Sequence, residues 1–335
     1  MTHIGTERML WLDAVKGWGI LLVIISHLCV LPHWMIDGYI PLFFIAAGIT
    51  YKRKSSYWLE FKSRAKRLLF PYMFYNFIYL IILFIIYYLI KHNNIDLGLS
   101  IFGILYSKIT INYPMTNESV RLLGANAPMW FLTCMFVTLQ LCAFIINKHQ
   151  ILILPIILCL FAIQECSFFF PWSFDFALFA TLFVFIGNVF KEYFKTPSRT
   201  NIYARLIIFC ICLGLYLYLT ELNGRVNASI RNYGILGSLS IPIFFIISCL
   251  YFFLVQRIVV CLKRNLFVKF LAYMGKHSLR LLCIHLFIAG WSHSILTKMG
   301  FSSVLGIVGG FLIVLFVDAC IEQIVNKRND ILSYI

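Results

Sequence analysis

The 335-residue sequence is 61% hydrophobic and 12% charged, with a formal net charge of +15 and a mean hydropathy of +0.89. A soluble domain is about half apolar and about a quarter charged, and a chain of this length has no interior able to hide the excess. The composition excludes a disordered or collagen-like chain and argues against a water-soluble enzyme. Lipid is the expected solvent.

The apolar run that begins near Met9 exceeds the length of a signal-peptide core and lacks a small-residue cleavage site, so it is read as a retained first span. A helical span needs about 20 mostly apolar residues. Ten stretches qualify, roughly 10–31, 35–51, 68–90, 128–146, 151–166, 173–190, 205–221, 234–255, 270–296 and 302–325. Between them lie Leu31-Pro32-His33, Thr196-Pro197-Ser198 and Asn223-Gly224, residues suited to turns. The expectation is an all-α polytopic membrane protein of about ten transmembrane helices, forming one domain over 1–335, with 91–127 as an extracytoplasmic loop.

Alternating the spans from a cytoplasmic N-terminus puts most of the 28 lysines and arginines on the inside, chiefly in 52–67, 191–205 and 257–269. That bias predicts both termini in the cytoplasm. It also accounts for the net charge as topology, and no nucleic-acid partner is expected. The 11 cysteines lie mostly in apolar runs with no CxxC pair, so they read as small hydrophobes, and no metal set is expected.

An ionisable side chain in hydrocarbon is a functional candidate. The first span carries Asp13, Lys16 and His27. At 100° per residue, Lys16 and His27 differ by about 20° in azimuth and stand about 16 Å apart along the axis, on one polar stripe. Asp13 lies on the same face and is spaced to pair with Lys16. An interfacial ion pair that merely anchors the helix end is the bland reading of Asp13 and Lys16. His27, deep in the apolar run, needs a partner or a cavity.

The loop after the second expected span holds Lys52, Arg53, Lys54, Lys62, Arg64, Lys66 and Arg67. Spaced i and i+3, Arg64 and Arg67 face one way on a regular helix, an arrangement suited to phosphate. Attraction to anionic headgroups is the alternative. Further along, His277, Arg280 and His285 fall in the ninth expected span, and Asp318 and Glu322 form an i, i+4 pair in the tenth.

Six short blocks in chain order resemble the membrane-bound acyltransferase family 3, in a branch similar to fucose 4-O-acetylases and polysaccharide O-acetyltransferases. They are Arg8 to Asp13 with Lys16-Gly17 and His27; Pro41-Leu-Phe-Phe-Ile-Ala-Ala-Gly48; Arg64-Ala-Lys-Arg67-Leu-Leu-Phe-Pro71-Tyr72; Pro128-Met-Trp130-Phe-Leu132; Phe185-Ile-Gly187; and Gly275-Lys-His-Ser278-Leu279 followed by His285. Lys16 stands where many members have Arg, and Ala47 where Ser is usual.

The resemblance implies transfer of an acetyl or other acyl group from acetyl-CoA, as co-substrate, to a hydroxyl of a sugar or cell-surface glycan at the plasma (inner) membrane. On that chemistry His27 and Asp13 are the expected catalytic residues, and Lys16, Arg64 and Arg67 the expected acyl-CoA site. Trp130 and His285 then contact the acceptor or line the pore. The alternative is a multi-span transporter or flippase for a sugar-lipid or anionic substrate.

Overall fold

The computed structural model describes residues 9–86, 96–107, 110–112, 119–121, 127–148, 151, 153–164, 166, 168–195, 201–263 and 265–327. Arg8 and parts of the expected 91–127 loop lie outside the described residues.

The described chain is helical apart from one antiparallel pair, β1 (Thr110–Asn112) and β2 (Ser119–Arg121). The helices are α1 (Leu10–Leu28), α2 (His33–Ile36), α3 (Tyr39–Ile49), α4 (Tyr57–Arg64), α5 (Phe70–Ile85), α6 (Leu97–Tyr106), α7 (Trp130–Lys148) and α8 (Ile153–Gln164). They continue as α9 (Phe174–Val189), α10 (Lys191–Lys195), α11 (Ile202–Asn223), α12 (Ser240–Cys261), α13 (Leu266–Lys276), α14 (Ser278–Lys298) and α15 (Ser303–Lys327).

Among the described residues, seven helical stretches are long and apolar enough to cross a membrane: Leu10–Leu28, Tyr57–Ile85, Pro171–Val189, Ile202–Asn223, Gly237–Cys261, Ser278–Lys298 and Ser303–Val325. The expected stretches 35–51, 128–146 and 151–166 correspond instead to shorter apolar helices. The first of these is broken at Asp37-Gly38, where the Asp37 carboxylate accepts the Val226 N–H at 3.2 Å. That leaves α3 with 11 residues, about 16 Å of helix against a hydrocarbon core of about 30 Å. The ninth expected span is likewise divided, at His277 between α13 and α14.

Helix α1 is the centre of the assembly. It crosses α13 with the two backbones touching: a Cβ on Gly17 would sit 1.7 Å from the Leu271 carbonyl oxygen, and one on Gly275 would sit 1.7 Å from that of Asp13. A second crossing of this kind joins α3 to α9, where a Cβ on Gly48 would meet the Val184 carbonyl oxygen at 2.1 Å and one on Gly187 that of Ile45 at 2.2 Å. Only glycine permits such an approach, which in a membrane supplies the close van der Waals contact that drives helix association.

An aromatic cluster of Phe176, Phe179, Phe183, Tyr233 and Phe244 fills the space between α9 and α12. By contrast, α11 keeps most of its apolar side chains exposed, among them Leu206, Ile207 and Ile211, as a helix against lipid does.

Candidate active site

A cavity of about 710 Å³ runs beside α1. Leu12, Lys16, Ile20, Val23 and His27 line it, one stripe at i+4, i+4, i+3 and i+4 along the helix. Lys16 and His27 therefore share one cavity.

The cavity lining includes the cations Lys16, Arg67 and Lys276, of which Lys276 follows Gly275 at the crossing beside Lys16. The Lys16 ammonium lies 2.7 Å from the Asp13 carboxylate, which is itself buried. Asp13 does not line the cavity; it sits behind Lys16 at the α1–α13 crossing and holds it. Lys276 closes α13 and lies 3.8 Å from Glu322.

The structure separates the two arginines that the regular spacing places together. Residues Ala65–Leu69 form a π-helix between α4 and α5. The extra residue in such a turn breaks the register in which i and i+3 share a face, a distortion frequent at functional sites. Arg67 is exposed and lines the cavity, whereas Arg64 does not. Arg64 pairs with the buried Glu60 at 2.6 Å, donates to the Leu139 carbonyl oxygen at 2.7 Å, and covers the Tyr51 ring. It ties α4 to α7.

The lining also includes His27, Ser26, Asp37, Tyr39 and the segment from Arg225 to Ile230. His27 lies one residue before the end of α1, with its ring accessible, and it also faces a smaller pocket lined by Leu28 to Leu31, Ile36 and Arg225. Its Nδ1 is 3.1 Å from the Val23 carbonyl oxygen. A carbonyl oxygen only accepts, so Nδ1 carries the hydrogen and Nε2 keeps its lone pair. That is the form of a general base.

His285 is fully buried and does not line the cavity; its ring packs against His27. Its Nδ1 is 3.0 Å from the carbonyl oxygens of both Leu281 and Leu282, which again places the hydrogen on Nδ1. Its Nε2 has no hydrogen-bond partner among the described residues. Trp130 opens α7 and lines the cavity, held edge to face against Phe176 at a centroid distance of 5.8 Å.

Around His277, between cavity-lining Lys276 and Ser278, one ionic network fastens α13, α14 and α15. Arg280 donates to Asp318 at 2.6 Å and to Glu322 at 2.9 Å, while His277 Nδ1 meets Asp318 at 2.8 Å and Tyr273 donates to it at 3.2 Å. Pairing of this kind lets charged groups sit within a bundle.

Lys276, Arg225 and Asp37 reach the cavity without having been singled out in the sequence. Lys276 falls inside the Gly275-Lys-His-Ser278 block, which was its available signal. Nothing local marks Arg225, because its place depends on the fold of the loop that carries it.

A family model described as an acyltransferase domain matches residues 9–321, and the chain belongs to that family, acyltransferase family 3. No curated protein and no solved structure matches it. With helices able to span a bilayer, the protein is an integral membrane acyltransferase.

Proposed function

We propose that the protein moves an acetyl or closely related acyl group from acetyl-CoA to a hydroxyl of a sugar or cell-surface glycan. The observation that carries this reading is the single cavity lined both by Lys16, Arg67 and Lys276 and by His27. A polyanionic cytoplasmic donor suits the cationic end. A hydroxyl acceptor suits the imidazole end. With both termini in the cytoplasm of a plasma (inner) membrane, as the lysine and arginine bias favours, α1 carries the cavity from inside to outside.

The phosphates of the donor rest against Lys16, Arg67 and Lys276, guanidinium and ammonium groups acting as a fork and as point charges respectively. Asp13 fixes Lys16. The acyl arm extends along the stripe of Ile20 and Val23 toward His27. There the lone pair on His27 Nε2 takes the proton of the acceptor hydroxyl as its oxygen bonds to the thioester carbonyl carbon. The tetrahedral oxyanion then collapses, the carbon–sulfur bond breaks, and the proton on His27 passes to the departing thiolate, leaving an ester and free CoA. Trp130 offers an aromatic face on which a sugar ring stacks. Arg64 acts at a distance by holding α4 against α7.

Purified protein in lipid, given acetyl-CoA and a glycan acceptor, is the test. Free CoA released only when acceptor is present, with acetylated acceptor as product, supports the reading. Acceptor moved across sealed vesicles with no acylation points to transport and contradicts it.

A further inference from the structure

We propose that the His27 end of the cavity is built for an acceptor carrying a negative charge, gripped by Arg225; this rests on the acyl-transfer reading above. The segment that follows α11 is firmly braced. Val226 N–H donates to Asp37, Asn227 and Asn232 exchange backbone hydrogen bonds at 2.7 and 3.0 Å, and Asn223 Nδ2 donates to the Tyr233 carbonyl oxygen at 2.7 Å. Arg231, on the same segment, is engaged by protein groups. It pairs with the buried Asp175 at 3.3 Å and donates to the carbonyl oxygens of Ile163 and Cys166 at 2.6 and 2.5 Å.

Arg225 differs. Its guanidinium makes no direct hydrogen bond or ion pair among the described residues, although its charge acts on Asp37 and Tyr39 nearby. The Asp37 carboxylate is occupied by Val226 N–H and by His33, and His33 in turn approaches Glu221 at 3.3 Å. Arg225 lines the main cavity and also the smaller pocket that opens beside His27. A planar fork whose donors have no direct partner among the described residues, presented on a braced loop next to the reacting imidazole, matches a carboxylate or a phosphate. Both chemistries occur in acceptors of the proposed class, as the carboxylate of an acidic sugar or the phosphate of a lipid-linked one.

The test compares three acceptors with wild type, Arg225→Gln and Arg225→Lys: a galacturonic-acid oligosaccharide, its neutral galactose counterpart, and a galactosyl phosphate on a short isoprenoid chain. Arg225→Gln is expected to raise the KM for a charged acceptor about ten- to hundredfold relative to the neutral one, as loss of a charge-assisted contact does, with Arg225→Lys recovering part. Whichever charged acceptor shows the effect identifies the source of the charge. Equal changes for charged and neutral acceptors overturn the inference and leave acyl transfer standing. Should wild type acylate none of the three, acyl transfer fails, and binding of the same compounds, read by thermal shift, decides on Arg225. A shift abolished in Arg225→Gln supports its role; a shift absent in wild type, or unchanged in the variant, overturns it.

Discussion

The imidazoles of His27 and His285 meet edge to face with their ring centroids 5.1 Å apart, each with its Nδ1 tied to a carbonyl oxygen of its own helix. The pair joins α1 to α14 where the cavity ends. His285 packs against His27, so on the proposed acyl-transfer reading it is a positioning residue. It also holds a buried lone pair, a polar group that ordinarily finds a partner.

Replacing His285 with Leu is therefore expected to reduce kcat about tenfold or more, within the range general-base alignment commands, while leaving the KM of donor and acceptor near wild type. His285→Gln, which restores an acceptor near the Nε2 position, is expected to recover much of the rate. Steady-state kinetics on purified variants checks this. A purely structural role gives equal losses for Leu and Gln together with lower protein yield.

The two arginines of the π-helical region predict different phenotypes. Arg67→Met removes a cation from the cavity and is expected to raise the KM for acetyl-CoA about tenfold, with stability unchanged. Lys16→Met is expected to raise it as much and also to lower stability, because it strips the buried Asp13 carboxylate of the Lys16 cation. Arg64→Met instead leaves Glu60 buried without its partner, a loss of about 3–5 kcal/mol for a broken buried pair. It is expected to lower the melting temperature. Donor-dependence curves beside thermal denaturation in detergent separate the two effects.

Gly275→Ala tests the α1–α13 crossing. The added Cβ would sit 1.7 Å from the Asp13 carbonyl oxygen, so the backbones must part. The expected destabilisation is about 1–3 kcal/mol, the usual range for overpacking, with a weaker donor affinity because Asp13 and Lys16 move with α1. Gly214→Ala, on the exposed face of α11 with open space around it, serves as the silent control.

Much of this was legible in the sequence because it is local. The azimuth of Lys16 and His27 follows from helix periodicity, and both do line one cavity. Runs such as 10–31 and 302–325 declared their helices by length alone. What was hidden depends on the third dimension. The break at Asp37-Gly38 is held by a hydrogen bond from Val226, far along the chain. The parting of Arg64 from Arg67 needs a π-turn that no spacing rule anticipates. Arg225 and Lys276 become cavity residues only when α11, α13 and α1 pack, and in sequence they are two cations among 28.

The central claim is that His27 takes the acceptor's proton in a cavity supplied with acyl-CoA from its cationic end. The direct measurement is acyl transfer by purified His27→Ala beside wild type, at saturating donor, with insertion and acetyl-CoA binding measured on the same samples. The account predicts a fall of about 10²–10⁴-fold in transfer with donor binding and membrane insertion retained. Transfer at near wild-type rate by His27→Ala contradicts it.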